Sequence, residues 1–138
     1  MREEILKLAR HRLARAREAR KDGETLLAGG SLNSAANRFY YAAFYAARAL
    51  LATQEVDSSR HSGVIALFQK HFVKAGRFDT ETAKALPRAF EKRQASDYGD
   101  FTVLTKPEVE RIRDETTVFV EECSRLVEHL GSGPEQVQ

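Results

Sequence analysis

At 138 residues, 42% of them hydrophobic and none of them Trp, the chain fits one domain with its own core, and its net charge of +2 gives no overall electrostatic case for nucleic acid. The single cysteine, Cys123, excludes an intramolecular disulfide and points to a reducing compartment. No apolar run reaches the length of a membrane span, and MREEILKLARHRL lacks the pattern of a signal peptide, so a soluble cytoplasmic protein is expected.

Ala, Leu, Arg and Glu dominate, and the periodicity predicts an all-α fold, an up-and-down bundle of about five helices. The first helix spans about 2–28, with Ile5, Leu8, Leu13, Ala16, Leu26 and Leu27 marking one side. Gly29-Gly30-Ser31 ends it, and Ser31 or Asn33 is placed to cap the next. Residues 1–22 carry eight Lys/Arg against four Asp/Glu, whereas residues 105–138 carry four against eight. A basic first helix offers a surface to phosphates or an acidic partner, although a solvated face explains it more simply.

The second helix, about 31–53, is SLNSAANRFYYAAFYAARALLAT, and its alanines suit a central position among close neighbours. The third, about 62–75, carries Val64, Ile65, Leu67, Phe68 and Phe72 and stops at Gly76. The fourth runs from Asp79-Thr80-Glu81 to Tyr98-Gly99, with a kink or restart expected at Pro87. The fifth, about 106–130, opens on the capping-box pattern Thr105-Lys106-Pro107-Glu108. Its buried stripe is Val109, Ile112, Phe119, Cys123, Leu126 and Leu130, which makes Cys123 a core residue. Residues 1–130 form the domain, and 131–138 read as a flexible polar tail.

Two features depart from an ordinary helical surface and core. On the second helix Ser34, Asn37, Tyr41, Phe44, Tyr45 and Arg48 share one arc that lacks the Lys and Glu of an ordinary solvent face. On the fourth, the apolar stripe Ala83, Leu86, Phe90 continues into Arg93 and Asp97, and long charged groups are rarely buried unless paired. Antiparallel packing of the two helices would bring Arg93 and Asp97 against Asn37, Tyr41 and Arg48, with Asp97 offsetting Arg93 or Arg48. Such a patch suits a dimer interface, a nucleotide or RNA bases, and equally a hydrogen-bonded network that locks two helices together.

The run from Ser34 to Leu51, together with His61-Ser62-Gly63, Phe68-Gln69-Lys70-His71-Phe72 and Arg93-x-x-Ser96-Asp97-Tyr98, resembles the HEPN domain family over nearly the whole chain, roughly residues 1–130. The likeness is greatest to the small stand-alone prokaryotic branch. It implies a helical bundle that commonly dimerises and is frequently paired with a minimal nucleotidyltransferase as a toxin–antitoxin module. Many family members are metal-independent ribonucleases with an Arg, four to six residues, then a His. There the Arg holds the scissile phosphate and the His moves protons during attack by the 2′-hydroxyl.

Arg93 matches that Arg, but Tyr98 stands where the shortest motif places the His, and a phenol with a pKa of about 10 is a poor base near neutrality. His61, in the loop after the second helix, can fold over the patch. His129 follows Arg125 too closely, and His11 and His71 read as surface or packing residues. The catalytic candidates are therefore Arg93, Tyr98 and His61, and the binding patch comprises Asn37, Tyr41, Tyr45, Arg48, Arg93 and Asp97. Neither a metal nor another cofactor is expected. The sequence leaves three readings open: a nucleotidyltransferase partner that binds nucleotide or RNA, a ribonuclease toxin, and a polar network with no ligand.

Overall fold

The computed structural model describes residues 1–99 and 101–133. Their regular structure is all helical: α1 (Glu3–Ala28), α2 (Leu32–Thr53), α3 (His61–Phe68, continuing as a π turn over Gln69–Val73), α4 (Thr80–Ala83), α5 (Ala85–Tyr98) and α6 (Lys106–Gly131). The expected all-α bundle is the observed fold.

The centre of the bundle is α2, which packs against α1, α6, α5 and α3. Its small residues explain this. Ala35, Ala36, Ala42, Ala43, Ala46, Ala47 and Ala49 are all buried, as are Ala9, Ala16, Ala19 and Gly23 on α1. Close approach follows, because short side chains hold helix axes near one another. At Gly23 a methyl group would lie 2.7 Å from Cε1 of Phe39. Larger rings fill the wider gap beneath α3, where Phe68, Phe78 and Phe119 meet with centroids 5.1–5.4 Å apart. Cys123 is fully buried in the core. Leu8, expected on the inner side of α1, is instead 42% exposed, because Ala9 and Leu13 occupy the inward register.

Helix ends follow local chemistry. Thr105 and Glu108 form the capping box anticipated for α6. The segment after residue 79 is two helices, and the restart falls at Lys84 rather than at Pro87. Pro87 thereby sits in the first turn of α5, where its missing N–H is not needed. Asp79 caps α4 by accepting from the Thr82 N–H at 2.8 Å. Neither Ser31 nor Asn33 caps α2. Asn33 instead donates to Thr102 O at 3.0 Å and accepts from the Leu104 N–H at 2.9 Å, pinning the connection before α6 to the start of α2. At the far end of α2, Glu55 adopts a φ of 55°, closing the helix with the Val56 N–H on Leu51 O at 3.2 Å.

Of the polar tail, Gly131 still belongs to α6, and 134–138 lie outside the described residues. Among the described residues no helix is long and apolar enough to cross a membrane.

Candidate functional site

The consecutive rings Phe39, Tyr40 and Tyr41 point in three directions about 100° apart on α2. Phe39 faces Gly23 of α1, Tyr40 is fully buried, and Tyr41 is half-buried at the edge. A buried phenol requires a hydrogen-bond partner. Tyr40 finds it in His61, the first residue of α3, with Oη 2.6 Å from Nδ1. The imidazole is held on the other side by Phe44, stacked at 4.4 Å, and by the edge of Tyr41 at 5.6 Å.

Burial, and secondarily the charge of Arg93, lower the pKa of His61 below its ordinary value. Burial likewise pushes the Tyr40 phenol upward, so it stays protonated. A hydroxyl both donates and accepts, so Tyr40 accommodates either neutral tautomer of His61. With Nδ1 anchored to the phenol, Nε2 is the ring nitrogen left to give or take a proton according to the tautomer.

Beside this pair lies Arg93, one turn beyond Phe90 on α5. Phe90 itself packs against Tyr40 at 5.6 Å and His61 at 6.2 Å. The two charges on the apolar stripe are indeed partners: Arg93 Nε and Asp97 Oδ2 are 2.8 Å apart, with side chains 15% and 31% exposed. The contact is poorly aligned, and the buried Nε makes no hydrogen bond. The guanidinium also lies over the rings of Tyr40 and Tyr41, at 5.6 and 5.5 Å, and Nη2 donates a long bond of 3.4 Å to the Tyr41 hydroxyl. Next to it opens a cleft of about 340 Å³ lined by Leu26, Asn33, Ser34, Asn37, Arg38 and Asp97. Asn37 accepts from Arg38 Nη2 at 3.0 Å.

The remaining candidates are arranged differently. Arg48 does not reach Asp97. It pairs with Asp57 of the α2–α3 loop at 2.8 Å, and Arg12 of α1 joins the same carboxylate at 3.2 Å. Tyr45 accepts from Arg15 at 3.1 Å. Tyr98, at the end of α5, is 75% exposed and stands apart from the cluster.

The contacts made here by Tyr40, Asp57, Arg12, Arg15 and Arg38 were not legible in the sequence. For Tyr40 the available signal was its place among alanines, which implies burial and hence a hydroxyl in need of a partner. Among the described residues no group of three His, Cys, Asp or Glu side chains could hold a metal ion.

Residues 9–126 match the HEPN domain. The chain belongs to the HEPN family. Among its relatives, a UPF0332 protein of Thermotoga maritima is 40% identical over 119 residues, covering 84% of this chain and 88% of the relative. A UPF0332 protein of Archaeoglobus fulgidus is 30% identical over 116 residues, 84% of this chain and 92% of its own. A Methanocaldococcus jannaschii protein named "Putative toxin MJ0142" is 29% identical over 115 residues, 83% and 78% of the two chains.

Proposed function

We propose that this HEPN protein is the toxin-type component of a toxin–antitoxin module, a cytoplasmic homodimer partnered by a minimal nucleotidyltransferase. In this reading it binds RNA or a nucleotide where Arg93 meets Tyr41 between α2 and α5. The observation that carries the proposal is the state of Arg93. It is a largely buried cation whose Nε makes no hydrogen bond despite Asp97 at 2.8 Å, beside a cleft of about 340 Å³. A structural ion pair satisfies its donors, whereas a site that awaits an anion leaves them unmet. The relatives named as toxins support the biological role.

The exposed phenol of Tyr98 is accessible to nucleotide transfer by the partner, and unmodified Tyr98 in the mass spectrum after coexpression would argue against that step.

A second reading, a metal-independent ribonuclease, is favoured by the position of His61. The family motif's His is missing from α5, yet an imidazole reaches the Arg93 neighbourhood from α3. Arg93 would hold the scissile phosphate. His61 Nε2 would take the 2′-hydroxyl proton, the 2′-oxygen would bond to phosphorus as the P–O5′ bond breaks, and the 5′-oxygen would leave as an alcohol by taking that proton back from His61. Tyr98, exposed and distant from the ring cluster, fits proton transfer less well than His61.

One experiment separates the readings: incubation of RNA with the purified protein without metal, beside Arg93→Ala and His61→Ala. Cleavage lost in both variants establishes the ribonuclease. RNA or nucleotide binding without cleavage, lost in Arg93→Ala alone, leaves the binding module. A folded protein that neither binds nor cuts removes both.

A further inference from the structure

Arg15 and Arg38 differ from most other arginines on the same side of the bundle in what holds them. Arg12 and Arg48 are paired with Asp57, and Arg93 has Asp97 at 2.8 Å although its Nε makes no hydrogen bond. Arg15 lies over the ring of Tyr45 at 4.7 Å and donates to that phenol, and Arg38 lies over Tyr41 at 4.9 Å and donates to Asn37. Among the described residues each guanidinium is positioned by neutral groups, a phenol ring with its hydroxyl for Arg15 and a phenol ring with the Asn37 amide for Arg38, so neither is held by a carboxylate.

Their supports are in register. Tyr41 and Tyr45 are one turn apart on α2, with ring centroids 5.8 Å from each other. The row runs from Arg15 and Tyr45 through Tyr41 and Arg38 to the cleft that Arg38 shares with Asp97. A planar cation stacked on a ring leaves its outer face open, and a nucleobase stacks on such a face while a phosphate takes the N–H edge.

We propose that Arg15 and Arg38, each lying over a tyrosine ring, form a two-step phosphate track that guides single-stranded RNA along α2 into the cleft that Arg38 shares with Asp97. This rests on the RNA reading above and assigns its substrate class: a flexible single strand, whose unpaired bases can reach the guanidinium faces, rather than a duplex or a free nucleotide.

The test is fluorescence anisotropy of the full chain with a labelled, unstructured 2′-O-methyl oligoribonucleotide, which cannot be cut through its 2′-oxygen, over a range of potassium chloride concentrations. A duplex of the same sequence and free AMP serve as competitors. The double variant Arg15→Ala/Arg38→Ala is expected to bind about ten-fold or more weakly, and its log–log salt slope should be shallower by about 1.4, two contacts at about 0.7 each. Arg15→Lys/Arg38→Lys should keep the slope but not the affinity, because an ammonium does not stack. Equal competition by duplex or AMP overturns the assignment, and so does a wild-type slope in the alanine variant or wild-type affinity in the lysine variant. Failure of the wild type to bind any RNA removes the RNA reading itself. Unchanged binding by the variants removes only the track.

Discussion

Two arginine clusters flank the same helix, and they solve the same electrostatic problem in opposite ways. At the C-terminal end of α2, Arg12 and Arg48 share Asp57 through aligned hydrogen bonds of 2.8–3.2 Å. Arg12 also donates to the Arg48 carbonyl at 3.0 Å. Three segments of chain, α1, α2 and the loop before α3, are tied at one carboxylate. Midway along α2, Arg93 has a carboxylate of its own yet leaves Nε without a hydrogen bond and spreads its charge over two phenol rings. The side chains of Arg12 and Arg93 are equally exposed, at 15%. Burial and charge alone therefore do not distinguish a clamp from a site. What differs is the hydrogen bonding: Asp57 accepts aligned bonds from Arg12 and Arg48, whereas Arg93 Nε donates none.

The largest effect expected is on Arg93→Ala. RNA binding or cleavage should fall by at least about ten-fold, the cost of one charge-assisted contact or more. Stability should fall by only about 1–2 kcal/mol, because the lost partner is half-buried. Thermal melting beside the binding assay reads both. A large loss of melting temperature with intact binding would make Arg93 a second clamp and abolish the contrast.

Asp57→Ala tests the other side. It leaves Arg12 and Arg48 facing each other without their counter-charge, and should cost about 1 kcal/mol of stability, since Asp57 is 43% exposed and solvent screens the pair. RNA binding should be spared. The hydrogen bond from Arg48 holds the Asp57 pKa below its ordinary value. The stabilisation is therefore present above the unfolded carboxylate's pKa and is lost as pH falls through the lower folded value. Wild type and variant should converge in denaturant melts carried into that acid range, and a gap that persists there would assign the effect to something other than the ion pair.

Tyr40→Phe removes a hydroxyl and leaves His61 Nδ1 without its 2.6 Å partner. The expected loss is about 1 kcal/mol, with a change in any His61-dependent cleavage exceeding that in RNA affinity. If both parameters stay at wild type, the phenol neither anchors nor orients the ring.

The difference between the clusters also marks the limit of sequence reasoning. Periodicity along α5 was enough to put Arg93 and Asp97 on the core-facing stripe, and helix geometry made them an i,i+4 pair. The bundle, the central alanine helix and the α6 capping box follow from equally local rules. That Arg48 pairs with Asp57 and not with Asp97 was hidden, because Asp57 lies in a loop with no period to extrapolate. The contact between Tyr40 and His61 was hidden for a related reason. It depends on how α3 docks against α2, and docking is set by the packing of Phe44, Phe68 and Phe90 rather than by any spacing along the chain. Pro87 shows a milder form of the problem: the residue predicted an interruption, but the first-turn tolerance of proline shifted the break to Lys84.

The smallest effect expected, and the one that most directly couples Arg93 to His61, is in the titration of His61. Burial is the main cause of its lowered pKa and Arg93 the second. Removing Arg93 should therefore move the His61 pKa upward by only a fraction of the shift, leaving it below the ordinary value. The sign for stability follows. A histidine depressed in the folded state is protonated first in the unfolded chain, so stability is full above the unfolded value and declines as pH falls through it toward the folded one. In Arg93→Ala that decline should be shallower. The Cε1 proton of His61, followed by NMR across the neutral-to-acid range in wild type and variant, measures the coupling directly. An unmoved titration would mean that Arg93 and His61 do not sense each other, and that the imidazole brought in by α3 cannot replace the one α5 lacks.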